Sequence, residues 1–96
     1  MTIKDVKKGD IHIQIESEND NTTVELTSPS KLQFGKQIEN LIKETVKKCT
    51  DKNYNIVAID NGAYDYIIKS RVEYAVFEHE GISDIDWRSL LWKTIN

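Results

Sequence analysis

Two stretches near the start of the chain alternate between apolar and polar residues, which is the period of a half-buried β-strand. The first runs from Asp10 to Ser17 and the second from Thr22 to Thr27, with a polar run of turn-forming residues between them. This pattern predicts an antiparallel hairpin. Its inward positions are Ile11, Ile13, Ile15, Val24 and Leu26, and its outward positions are His12, Gln14, Glu16, Thr23 and Glu25.

The longest amphipathic segment follows the turn at residues 28–30. Apolar residues recur there at the three-and-four spacing of one helical face, from Phe34 to Cys49. Ser28 is a candidate N-cap with Pro29 at the first helical position, and Ser30 is the alternative cap. The spacing predicts a long helix with one buried face.

A short apolar run at residues 56–59 is typical of a strand that is buried on both faces. A turn follows, in which Asp60 or Asn61 can cap a second helix. That helix is predicted to begin near Ala63 and to end around Gly81, a residue type favoured just past a helix end.

The element order predicts an α+β domain built as a two-layer sandwich. A three-stranded, mainly antiparallel sheet in the order β-β-α-β-α carries both long helices on one face. Residues 1–96 form one domain, with a flexible N-terminus at 1–8 and a docking segment with a short helix at 82–96. Both tryptophans, Trp87 and Trp92, lie in that last segment. We expect it to fold back onto the domain or to dock on another subunit, with both rings at least half covered.

Charge and hydropathy exclude two classes of partner. The chain has 13 basic and 16 acidic residues, a net charge of −3, and both signs are interspersed. A nucleic-acid-binding protein would concentrate basic residues on one face, and no apolar run approaches the ~18–20 residues that span a bilayer. We therefore predict a cytoplasmic protein that binds neither nucleic acid nor membranes.

Candidate catalytic and metal-binding residues are few. His12 and His79 are far apart and lack partners at ligand spacing. Cys49, the single cysteine, lies on the apolar stripe of the first helix, which predicts a buried core residue and not a reactive thiol. No glycine-rich phosphate loop or serine elbow is present. The pattern favours a non-catalytic carrier or binding subunit with no metal site.

One polar cluster follows the third strand, at residues 60–65, and Arg71 comes one and a half helical turns later. Its candidate functional residues are Asp60, Gly62, Asp65 and Arg71. Gly62 permits a backbone conformation closed to other residues. Arg71 lies at the border of the apolar stripe, so its guanidinium is expected to pair with a carboxylate. The cluster is either a structural strand-to-helix junction or a binding site.

An ordered set of residues resembles a known family. The set reads Gln33-Phe34-Gly35, Ile38 and Ile42, then Asp60-x-Gly62-Ala63-x-Asp65-x-x-Ile68-x-x-Arg71, then Ala75, Gly81-Ile82 and Trp87. It is similar to the acyl carrier subunit (gamma chain) of citrate lyase and to the acyl carrier subunit of malonate decarboxylase. The resemblance covers about residues 9 to 88.

This resemblance implies a subunit without an active site. In that family a phosphoribosyl-dephospho-coenzyme A arm is joined by a phosphodiester to a serine just before the first strand. Its thiol carries an acyl thioester between lyase and acyl-transferase subunits. The corresponding residues here are Lys8, Gly9 and Asp10, so a lysine stands where the family has the modified serine.

Three hypotheses follow from this departure. The chain is a carrier subunit of a citrate-lyase-like complex, or a divergent arm-less relative that acts as a protein-binding or regulatory module. A small enzyme is the third, and no residue pattern supports it.

Overall fold

The computed structural model describes residues 2–81, which fold into three strands and two long helices around one core. A single 3-10 turn, Ile3–Asp5, precedes them. The elements in chain order are β1 (Ile11–Glu18), β2 (Thr23–Thr27), α1 (Lys31–Cys49), β3 (Tyr54–Asp60) and α2 (Asp65–His79). The predicted α+β class and the β-β-α-β-α order are confirmed.

The sheet is mixed, with β3 at its centre. The strand order is β1-β3-β2; β1 is antiparallel to β3, and β2 is parallel to β3. The predicted hairpin is therefore wrong, because β1 and β2 do not pair with each other. β3 has apolar residues on both faces, and it hydrogen-bonds to a strand along each of its two edges.

The connection at residues 19–22 crosses the start of β3 instead of forming a tight hairpin turn. Asn53, just before β3, fastens it there. The Asn53 side-chain nitrogen donates to the carbonyl of Asp20 at 3.2 Å, and the Thr22 hydroxyl donates to the Asn53 side-chain oxygen at 3.2 Å. The backbone N–H of Asn19 also donates to the Asn53 carbonyl, at 2.9 Å. These contacts fasten the connection across the start of β3, which lies between β1 and β2.

Both helices pack on the same face of the sheet, as predicted. One cluster of buried side chains joins the two helices to all three strands. Its members are Ile11, Leu26, Ile38, Ile42, Val46, Tyr54, Ile56, Ala58, Ile68, Val72 and Val76. The other face of the sheet is partly open: Gln14, Glu16, Thr23 and Glu25 are exposed and His12 is half-buried. Burying a large aliphatic side chain contributes about 1.5–3 kcal/mol, so this one cluster dominates the stability of the domain.

The helix starts differ in detail from the expected ones. Ser30, the alternative cap, is the residue before α1, while the Ser28 hydroxyl accepts the Ser30 N–H at 3.1 Å. The residue before α2 is Tyr64, so this helix begins two residues later than predicted. Phe34 was expected on the buried stripe but is exposed, because it lies in the first turn of α1 at the end of the sheet.

Two predictions concern the ends of the chain. The docking segment 82–96 and its tryptophans lie outside the described residues. The flexibility of residues 1–8 stays a prediction. Within that segment Val6 is buried, and its carbonyl accepts from the side-chain nitrogen of Asn61 at 2.9 Å.

Candidate functional site

The strand directions bring five chain segments to one corner of the domain. Because β2 and β3 are parallel, they end at the same edge of the sheet, and β1 begins there because it is antiparallel to β3. Both helices also begin at this edge, since each follows one of those strand ends. We call this the β1–β3 corner and define it by Lys8, Gly9, Asp10, Asp60, Asn61, Gly62 and Arg71.

The backbone of the Lys8–Gly9 turn is fastened to the end of β3. The Gly9 N–H donates to the Asn61 carbonyl at 2.6 Å, and the Asn61 N–H donates to the Asp10 carbonyl at 2.9 Å. Gly9 has a φ of 88°, in the left-handed region that favours glycine. The result is an exposed turn on a fixed base, with the Lys8 side chain in solvent.

Arg71 of α2 forms a two-pronged ion pair with Asp10. Its Nε donates to one carboxylate oxygen and its Nη2 to the other, both at 3.0 Å. The first of these oxygens also accepts the Ile11 N–H at 2.8 Å. The hydrogen bonds from Arg71 hold the pKa of Asp10 below its ordinary value. The expectation that Arg71 pairs with a carboxylate is confirmed, and the pair joins the two groups of candidate residues.

Asp60 is the buried carboxylate of the corner, with 2% of its surface exposed. One oxygen accepts the Ser28 hydroxyl at 2.7 Å, and the other accepts the Ala63 N–H at 2.9 Å. A buried carboxylate is tolerated when its oxygens are hydrogen-bonded in this way. Asp60 therefore joins the end of β2 to the start of α2, which is a structural role.

Two of the predicted residues contribute less to the site. Gly62 has a φ of 82° and is exposed, so it serves the turn after β3. Asp65 is exposed in the first turn of α2, where a carboxylate suits the positive end of the helix dipole. Within residues 2–81 no hydrogen bond or ion pair links it to the rest of the corner.

Sequence reasoning missed the part of Asn61 and Ser28 in the corner. Asn61 was considered only as a helix cap, yet its backbone and side chain hold the segment before β1. Ser28 was also considered as a cap, and its hydroxyl reaches Asp60 across 32 positions of sequence. No periodicity signals such contacts, since both depend on the strand order.

A second hydrogen-bonded cluster, also unpredicted, lies at the opposite end of β3. Glu80 accepts the Tyr54 hydroxyl and the Thr50 hydroxyl on the same oxygen, each at 2.7 Å. The ring of His79 contacts the Tyr54 ring edge-on, with centroids 5.2 Å apart. We call these four residues the distal cluster. Burial pushes the pKa of Glu80 up, but the hydrogen bonds from Tyr54 and Thr50 outweigh it and lower the pKa.

The corner combines an exposed turn at Lys8 and Gly9 with a buried, hydrogen-bonded carboxylate, Asp60. Among residues 2–81 no three His, Cys, Asp or Glu side chains are arranged to hold a metal ion. Cys49 lies half-buried on α1, and burial raises the pKa of its thiol to about 11, which keeps it protonated at neutral pH. In the same residues no helix is long and apolar enough to cross a membrane.

Comparison with known proteins identifies the family. The model of the family described as Malonate decarboxylase delta subunit (MdcD) matches residues 5–79. The citrate lyase acyl carrier protein of Lactococcus lactis is 32% identical over 85 residues, 88% of each chain. The chain belongs to this acyl carrier protein family.

Other members of the family are similar over comparable lengths. The citrate lyase acyl carrier protein of Oenococcus oeni is 38% identical over 85 residues, again 88% of each chain. That of Lactobacillus acidophilus is 42% identical over 66 residues, 69% of this chain and 68% of the relative. No solved structure gives a significant match.

Family membership raises the question of where a prosthetic arm could be attached. The resemblance implies a phosphodiester at the position of Lys8, and the exposed turn makes that position accessible. Lys8, however, ends in an amine and has no hydroxyl. The nearby Ser28 hydroxyl donates to Asp60 and is partly buried. The corner therefore does not fit a serine-type phosphodiester at position 8.

Proposed function

We propose that this acyl carrier protein is a non-catalytic subunit of a citrate-lyase-like complex, which docks on lyase and acyl-transferase subunits in the cytoplasm. The membership of residues 5–79 in the carrier family carries the proposal. A carrier needs a stable base with one accessible position. The turn at Lys8 and Gly9, held by Asn61 and by the Asp10–Arg71 pair, supplies that arrangement.

Exposed apolar side chains at the starts of the two helices support a docking role. Leu32 and Phe34 lie in the first turn of α1, and Tyr64 and Tyr66 lie at the start of α2. All four are exposed, and the two tyrosine rings stack with centroids 6.1 Å apart. Apolar side chains grouped on a surface are typical of sites that bind other proteins. In this proposal a partner subunit covers them.

The substitution at position 8 favours a second candidate function. Because Lys8 cannot form the phosphodiester, any coenzyme-A-derived arm has to be bonded to another hydroxyl. If no arm is attached, the chain is a divergent relative that binds partner subunits as an interaction or regulatory module. The two candidates share the docking surface and differ only in the modification.

Intact-mass measurement of the protein purified from its native host separates them. A mass increase equal to phosphoribosyl-dephospho-coenzyme A, mapped to one peptide, is the result expected of a carrier. An unmodified chain that still co-purifies with lyase and transferase subunits would establish the arm-less module. Absence of those subunits from the purified material would contradict both.

A Lys8→Ser variant tests the corner itself. If the corner still matches the enzyme that attaches the arm, this variant accepts the arm when it is incubated with that enzyme from a relative. The wild-type chain does not accept it at position 8. We expect the fold to be unchanged, because substitutions at exposed positions usually alter stability by less than about 0.5 kcal/mol. A Lys7→Ser variant, one residue earlier in the exposed segment, is the matched control.

A further inference from the structure

A groove of about 740 Å³ runs between the outer edge of β1 and α2. Its apolar lining includes Ile13, Ile15 and Ala75, each of which is only partly buried. Ile13 and Ile15 belong to the helix-facing side of β1 and pack against the core. The groove is therefore a place where the core of residues 2–81 is incompletely covered.

Among residues 2–81 no strand pairs with the outer edge of β1, which borders this groove. Hydrogen-bonded and non-hydrogen-bonded pairs alternate along an antiparallel ladder. The Asp10 carbonyl accepts the Asn61 N–H, so it points toward β3. Counting on by twos along the register, the backbone groups of His12 and Gln14 also point toward β3. The N–H and C=O groups of Ile13 and Ile15 therefore point away from β3. Proteins usually cover such an edge.

The course of α2 brings the next part of the chain to this groove. Arg71 contacts Asp10 at the start of β1, and His79 contacts Tyr54, which pairs with the end of β1. The helix thus runs in the same direction as β1 and ends at the far end of the groove, where His79 lines it.

Gly81 allows the chain to turn back at that point. Its φ of 76° is in the left-handed region, and its N–H donates to the Glu78 carbonyl at 3.2 Å. This geometry is typical of a glycine that terminates a helix. A chain that reverses direction here would run along the groove.

The length and composition of residues 82–96 match the groove. This segment measures about 22 Å if helical and about 50 Å if extended, and the groove spans about 14 Å from Ile11 to Ile15. Its apolar residues are Ile82, Ile85, Trp87, Leu90, Leu91, Trp92 and Ile95. A tethered segment also has an effective concentration in the millimolar range, which favours it over a separate partner.

We propose that residues 82–96 turn back at Gly81 and pack their apolar side chains into the groove between β1 and α2. The segment covers Ile13, Ile15 and Ala75 and closes the open edge of β1. The groove adjoins the β1–β3 corner, because Asp10 and Arg71 also line it. The inference does not depend on the carrier role.

Tryptophan fluorescence of the full 96-residue chain tests this inference directly, since both tryptophans lie in the segment. We expect blue-shifted emission that acrylamide quenches weakly. An Ala75→Arg variant places a charge in the groove and should shift the emission to the red and raise the quenching constant severalfold. Ser70→Arg, at an exposed position of α2 outside the groove, is the matched control and should leave both unchanged. Water-exposed emission from the wild-type chain overturns the proposal.

A second measurement keeps the proposal falsifiable if Ala75→Arg unfolds the chain. The Trp87→Ser substitution in the full chain should shift the amide NMR signals of Ile13, Ile15 and Ala75. The signal of Val24, a partly buried residue of the other edge strand, should not move. Shifts confined to residues outside the groove overturn the proposal. So do shifts that fade on dilution, because they would indicate docking between two copies.

Discussion

The β1–β3 corner and the distal cluster hold opposite ends of the same central strand, and they do so in contrasting ways. Each uses a carboxylate as the joint between distant parts of the chain. At the distal cluster the buried group is the tyrosine: Tyr54 has 1% of its surface exposed and donates to Glu80, which is itself only half-buried. At the corner the carboxylate itself, Asp60, is buried, and the turn at Lys8 and Gly9 is exposed.

The two ends of β3 should therefore differ in how much their residues contribute to the stability of the fold. The distal cluster joins Tyr54 and Thr50 to Glu80 through two hydrogen bonds, and the residues at 51–53 beside it are exposed. The corner buries one carboxylate and keeps the Asp10–Arg71 pair half in solvent, with side-chain exposures of 29% and 54%. Exposed ion pairs contribute little to stability because solvent screens them. Substitutions at the distal cluster should therefore affect the whole fold, and those in the exposed part of the corner should affect only the corner.

The largest expected effect is that of Tyr54→Ala. Removing a buried aromatic ring leaves a cavity and costs about 3–5 kcal/mol of unfolding free energy. Tyr54→Phe retains the ring and loses the hydrogen bond to Glu80, a bond to a charged group worth about 1.5–3 kcal/mol. Urea denaturation followed by circular dichroism measures both. Tyr66→Ala, at an exposed tyrosine of α2, is the control; a loss as large as that of Tyr54→Ala would contradict the contrast between the two ends.

Asp60→Ala should come next. It leaves the Ser28 hydroxyl and the Ala63 N–H without their acceptor, and we expect a loss of about 1.5–3 kcal/mol. Asp65→Ala removes an exposed carboxylate five positions later and should cost less than about 1 kcal/mol. Thermal and urea unfolding of the two variants side by side provide the comparison. Equal losses would mean that Asp60 does not join β2 to α2 as its contacts indicate.

Arg71→Met should have the smallest effect on stability and a clear effect on one pKa. We expect a loss of at most about 1 kcal/mol, since the pair is partly exposed. The pKa of Asp10 should rise toward its ordinary value when the hydrogen bonds from Arg71 are lost. Carboxyl NMR titration measures this pKa, and Lys69→Met, an exposed cation of the same helix, is the control.

The sign of the pH dependence follows from the lowered pKa. A carboxylate with a lower pKa in the folded state stabilises the fold above its unfolded pKa of about 3.9. That contribution is lost as the pH falls through the lower folded value. The stability difference between wild type and Arg71→Met should therefore be present near neutral pH and disappear in acid. A difference that persists after Asp10 is protonated would show that Arg71 acts through some other contact.

Some of this site was predictable from residue type alone. The position of Arg71 at the edge of an apolar stripe predicted an ion pair, because a guanidinium beside buried apolar groups needs a carboxylate or water as partner. The polar run after β3 likewise indicated a turn with a glycine in the left-handed region. The partner of Arg71 was not predictable, since Asp10 is 61 positions away and becomes a neighbour only once β1 pairs with β3.

The hairpin shows the limit of local patterns. Alternation identified β1 and β2 correctly as half-buried strands, and the polar run between them suggested direct pairing. The structure instead places β3 between them, and no local pattern in the sequence indicated which strand lies beside which. Lys8 stands out for a different reason: family resemblance made it notable, and the fold placed it on an exposed turn.

The sequence by itself determined which segments become helices and strands and which faces they bury. Hydrophobic periodicity encodes these features because side-chain direction is set by local backbone geometry. Only the tertiary structure decided the strand order and the groove along β1. It also brought the Lys8–Asp10 segment into contact with Asn61 and Arg71. Periodicity specifies which side of a strand is buried but not which strand lies beside it, and that choice follows from burying all of the apolar surface at once.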